Sequence, residues 1–140
     1  MTPTLDPTIA NPTEQQVFDA AVRHLAAQGS KCRPAETEDD VDPVGCAYRN
    51  GDFTKACAVG ALLTDDECRS MDKHYLTVPV SSLYANHLVP DRIYPHRHLL
   101  RELQTVHDCH EVQSWERELR YIAEHHGLER IVLDECYPPQ

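Results

Sequence analysis

The sequence predicts an α+β domain, predominantly α-helical, with about five helices packed around a two-stranded β-hairpin. Three observations predict it. Apolar residues recur at helical spacing in several stretches, such as Val17, Phe18, Ala21, Val22 and Leu25. Helix-start and helix-stop residues bracket those stretches. One turn signal, Asn50-Gly51-Asp52, stands between two short segments that can pair across it.

A chain of 140 residues is long enough for one domain that buries about two-thirds of its unfolded surface. The formal charge of −10 and pI near 5.2 argue against general nucleic-acid binding, which needs a cationic footprint. They argue equally against docking on anionic membranes. The acidic residues alternate with cations along the predicted helices, a pattern of solvated surface rather than of a DNA mimic. Six cysteines would suit three disulfides, but the start Met1-Thr-Pro-Thr-Leu-Asp-Pro-Thr8 shows neither a basic nor an apolar leader segment. No apolar run approaches a membrane span. The expectation is a cytoplasmic protein with reduced thiols.

Residues 1–12, rich in Pro and Thr, form an expected flexible arm, and 13–128 form the domain. Thr13-Glu-Gln-Gln16 is a capping box opening the first helix, and Gly29 closes it. Residues 30–44 read as a loop, where Glu36-Thr-Glu-Asp-Asp-Val-Asp42 lacks the glycine and ligand spacing of a calcium loop. The hairpin follows. With Gly51-Asp52 as its loop, Tyr48 pairs with Lys55 and Cys46 with Cys57. Cys57-Ala-Val-Gly-Ala-Leu-Leu63 reads as a short buried helix, with a buried strand as the alternative.

Thr64-Asp-Asp-Glu67 is a second capping box. Tyr75-Leu-Thr-Val78 suits an edge strand ended by Pro79, and Ser81 or Ser82 starts a short helix to Leu88. Pro95 fits the first turn of the next helix, which carries Leu99, Leu100, Leu103, Val106 and His107. Asp108-Cys-His-Glu111 reads as a third helix start, for a helix bearing Val112, Trp115, Leu119 and Ile122. Gly127, with Leu128 packing back, ends it in a Schellman motif. Residues 129–140 read as a tail, with a short strand at 129–133. His96, His98, His125 and His126 look like solvent-facing helix positions.

Three constellations could carry chemistry. Cys57, near a helix start and two residues after Lys55, has surroundings that favour a thiolate. With His107 as base it would make a thiol nucleophile, and Gln104, one turn before His107, is placed to touch the imidazole. Asp108 is the weaker orienting group, because adjacent helical side chains diverge. Against this, a cysteine is commonly a small buried hydrophobe, and His107 sits at the edge of an apolar stripe, where it could donate to a carbonyl. The second constellation is a zinc set of Cys46, Cys57, Cys109 and His110, which lacks the short knuckle spacing of structural zinc sites. The third is a binding surface of Tyr48, Arg49, Arg92, Tyr94, Arg97 and Arg101, since Tyr and Arg are frequent interface anchors.

Cys46-Ala-Tyr-Arg49, Cys57-Ala-Val-Gly60 and Leu103-Gln-Thr-Val-His-Asp108, followed by Trp115, together resemble a group of short proteins of bacteria and their phages that has no assigned chemistry. The resemblance spans roughly residues 14–128 and implies a cytosolic accessory protein of a mobile element. The leading expectation is therefore an acidic accessory or regulatory protein that acts by binding another protein. The alternatives are a thiol-dependent hydrolase or transferase using Cys57 and His107, and a zinc-stabilised binding module. No cofactor is expected apart from zinc in that last reading.

Overall fold

The computed structural model describes residues 3–30, 56–68 and 89–138. Helix α1 spans Glu14–Gln28. Its capping box is complete. Thr13 Oγ1 accepts from the Gln16 N–H at 3.1 Å, and Gln16 Oε1 accepts from the Thr13 N–H at 2.8 Å. These bonds satisfy donors that a helix start otherwise leaves unpaired. Gly29 ends the helix in the left-handed region at φ 62°, a conformation that costs glycine nothing extra.

The apolar stripe of α1 makes it the central helix. Val17, Phe18, Ala21, Val22 and Leu25 are fully buried. Each large side chain among them contributes about 1.5–3 kcal/mol through burial. Against this stripe pack α2 (Arg97–Cys109), α4 (Ile131–Cys136) and a 3-10 turn at Gly60–Leu62. Helix α3 (Trp115–His126) packs on α2 and α4. Leu99, Leu100, Leu103, Trp115, Leu119 and Leu133 complete one continuous core with the α1 face.

Helix α3 ends as the sequence implies. Gly127 sits at φ 64°, and the Leu128 N–H returns to Ala123 O at 2.8 Å while Leu128 packs on the core. The second capping box also forms: Glu67 N–H donates to Thr64 Oγ1 at 3.2 Å and Thr64 N–H to Glu67 Oε1 at 2.9 Å. Within residues 3–12, expected as a loose arm, Thr4 and Leu5 make contact with the body. The Thr4 N–H donates to Ala61 O at 2.8 Å, and Leu5 is buried.

The α+β expectation is corrected, because the described residues are helical with no strand or sheet among them. The expected hairpin at 46–57, the edge strand at 75–78 and the helix from Ser81 or Ser82 fall on residues outside the described ones, Ala56 and Cys57 excepted. The apolar run after Cys57 forms the short buried helix expected there, as one turn of 3-10 helix at Gly60–Leu62, and not the alternative strand. Where a strand was expected at 129–133, α4 forms instead. It buries Val132 and Leu133 while leaving Ile131 exposed, a pattern that suits a helix lying on α1. Asp108 does not start a helix either. It lies inside α2, and α3 begins after Ser114 through a 3-10 turn at Val112–Ser114.

Candidate active site at the Cys57 turn

Ala56, the residue before Cys57, is held by α1. Its N–H donates to Gln28 Oε1 at 2.9 Å, and its carbonyl accepts from Gln28 Nε2 at 2.9 Å and from His24 Nε2 at 2.8 Å. The chain then turns. The Cys57 carbonyl accepts from the Ala61 N–H at 3.0 Å, and Cys57 Sγ accepts from the Gly60 N–H at 3.3 Å. Sulfur thus accepts a backbone N–H three residues along the chain. A backbone donor directed at sulfur stabilises negative charge there.

Helix α2 holds the turn from the other side. The buried Val59 N–H donates to Gln104 Oε1 at 3.2 Å, and Gln104 Nε2 donates to Asp108 Oδ1 at 2.9 Å. One amide therefore spans the Cys57 turn and the Asp108 carboxylate, and these two partners fix its orientation. The same carboxylate accepts from His107 Nδ1 at 2.7 Å. An ionised carboxylate only accepts, so Nδ1 carries the hydrogen in this pairing. His107 is fully buried and stacks on Trp115, with ring centroids 5.8 Å apart and planes at 29°. Trp115 is itself pinned by its Nε1–H to His110 O at 3.2 Å.

The structure thus gathers Gln104, His107 and Asp108 on α2 and ties them to the Cys57 turn. The imidazole is bonded by Asp108, which the sequence had ranked below Gln104. Neighbouring helical side chains usually diverge, but here both groups turn toward each other near the end of α2, and Gln104 holds the carboxylate from one turn back. His24 and Trp115 were missed as partners of the site. His24 falls three residues after Ala21 and seven after Val17, on the buried face of α1, and that register was the available signal.

The other proposed residues that are described have partners away from this turn or with each other. Arg92 forms a two-pronged ion pair with Glu67, its Nη2 reaching Glu67 Oε1 at 2.7 Å. Burial disfavours the Glu67 charge, but the hydrogen bond from Arg92 and the Thr64 backbone outweigh it and hold the carboxyl below its ordinary value. Arg97 lies over the Tyr94 ring at 4.7 Å, and exposed Arg101 donates to His98 Nδ1 at 3.0 Å. Tyr48, Arg49 and Cys46 fall outside the described residues. Of the zinc set, Cys57 is buried and Cys109 exposed. Among the described residues no group of three His, Cys, Asp or Glu is placed to hold a metal ion. No described helix is long and apolar enough to cross a membrane.

Compared with family models, with curated proteins and with solved structures, the chain matches none.

Proposed function

We propose that the protein is a thiol-dependent hydrolase or transferase with Cys57 as nucleophile, His107 as base and Asp108 as the residue that positions the imidazole. One observation carries this reading. Gln104 bonds the Cys57 turn and the Asp108 carboxylate at once, while that carboxylate holds His107 in the tautomer a base needs. In the reaction, His107 Nε2 takes the thiol proton and the sulfur attacks the carbonyl carbon of an acyl donor. The imidazolium returns the proton to the leaving group. Water, or a second nucleophile in a transferase, then releases the acyl group from sulfur with the proton passing through His107 again.

Cys57 and His107 are both fully buried, so access to the thiol is what the experiment must read. Native protein is alkylated with iodoacetamide at pH 6–7, where an ordinary thiol of pKa about 8.5 is almost wholly protonated, and each cysteine peptide is quantified by mass spectrometry. The expected result is labelling of Cys57 faster than of exposed Cys109, slowed about tenfold or more by His107→Gln and by Asp108→Asn. A Cys57 that reacts only on unfolding overturns the proposal. The chain would then return to the accessory reading, a protein that acts by binding another, with Arg97 and Arg101 as the residues to substitute.

A further inference from the structure

His126, the last residue of α3, lies between two carboxylates from two other helices. Its Nδ1 is paired with Glu14 Oε1 at 2.5 Å, and its Nε2 with Glu102 Oε2. A neutral imidazole has one N–H and one lone pair, whereas ionised carboxylates only accept. Pairing both ring nitrogens this way therefore requires both protons. We propose that Glu14, His126 and Glu102 form a proton-gated clamp that locks the first turn of α1 and the middle of α2 onto the end of α3, and that loses its hold when His126 gives up a proton.

Other titratable groups surround the clamp, each with its own contacts. The small cavity beside the clamp is lined by Glu14, Pro95, His96, His98, Leu99 and His126. His96, from the 3-10 turn before α2, donates its Nε2–H to Pro12 O at 2.7 Å. His98, on α2, accepts from Arg101 at Nδ1 at 3.0 Å. His125, next to it on α3, bonds Tyr121 O at 3.0 Å and faces the Tyr121 ring. Glu129, just beyond α3, reaches α1 only through its backbone, which exchanges two hydrogen bonds with Gln15. Helix ends reinforce the pairing, since Glu14 stands in the first turn of α1 and His126 in the last turn of α3.

Loss of one proton turns an attraction into a repulsion. A ring lone pair would face a carboxylate, and two carboxylates would remain beside each other with no cation between them. Burial of His126 opposes its charge, but the hydrogen bonds and charges of Glu102 and Glu14 outweigh it and raise the histidine above its ordinary value. A raised folded value means that the clamp's stabilisation is complete below about pH 6.5, the unfolded value, and disappears as pH rises through the folded one. Helices α1 and α2 also hold the Cys57 turn through Gln28, His24 and Gln104. The clamp thus sets how two of that turn's supports sit on each other, whatever Cys57 does.

The test is an NMR titration of the imidazole nitrogens, with equilibrium unfolding of wild type and His126→Gln from pH 5 to 9, chelator present throughout. The His126 midpoint is expected above the ordinary value of about 6.5. The stability difference between wild type and His126→Gln should be largest below pH 6.5 and vanish through the His126 midpoint. In Glu14→Gln/Glu102→Gln that midpoint should fall back toward the ordinary value of about 6.5. A His126 midpoint at or below about 6.5, or a stability difference that does not change with pH, overturns the clamp. The NMR result on wild type decides the matter even if His126→Gln fails to fold.

Discussion

Replacing Gln104 with methionine would test whether one amide holds the Cys57 turn on α2. Gln104 is nearly buried and uses both ends of its amide, accepting from the Val59 N–H at 3.2 Å and donating to Asp108 at 2.9 Å. Methionine keeps the length and approximate volume, so no sizeable cavity opens. The Val59 N–H, however, is left buried with its acceptor gone, at a cost of about 1–3 kcal/mol. Loss of the bond to the half-buried Asp108 adds about 0.5–1.5 kcal/mol, and the extra apolar burial returns about 1 kcal/mol. The net expectation is a loss of roughly 1–3 kcal/mol, a large share of the stability of an ordinary domain. Urea unfolding, followed by far-UV circular dichroism and by Trp115 fluorescence, reads it as a midpoint lowered by about 1 M with an unchanged slope. Gln104→Glu separates the two bonds. It keeps an acceptor for Val59 but sets a second carboxylate against Asp108, so its stability should improve as pH is lowered. A loss below about 0.5 kcal/mol in Gln104→Met would refute the reasoning, because a surface substitution does as much.

Further outcomes follow from other contacts. Gly127→Ala should cost about 1–2 kcal/mol in thermal or urea unfolding, through the left-handed backbone at φ 64° alone, since a Cβ there meets nothing within 4 Å. Gly127→Asn should cost less, and equal losses for both would point to packing instead. Phe18→Ala, in the fully buried face of α1, should cost about 3–5 kcal/mol. Glu67→Gln should weaken the protein at pH 7 by about 1–3 kcal/mol through the bonds to Arg92. The Glu67 carboxyl is lowered on folding, so its contribution is present above the unfolded value of about 4.3 and lost as pH falls through the folded one. Acid titration of wild type against Glu67→Gln should therefore show the two converging at low pH.

Much of the helical frame is legible in the residues themselves. Thr13 with Gln16, Thr64 with Glu67, and the glycines after Gln28 and His126 fix helix ends by local bonds that involve only neighbours in the chain. The apolar stripe of α1 follows from 3.6-residue periodicity in the same way. Cys57, Gln104 and His107 could be singled out because residue type and helical spacing limit which side chains share a face.

What tertiary structure decided is what each polar group bonds to. Asp108 has the residue type and position of a helix start, yet its oxygen is taken by Gln104 and His107. A carboxylate offered two side-chain donors has no need of a backbone N–H, so α2 runs on and α3 begins later. Ile131-Val-Leu133 has the composition of a strand, but burial of Val132 and Leu133 against α1 selects a helix. His126 looks like an exposed helix end until Glu14 and Glu102 arrive from residues 112 and 24 positions away. Local sequence can state the bonds within one turn of chain. It cannot state which distant donor reaches an acceptor first, because that depends on how the helices pack.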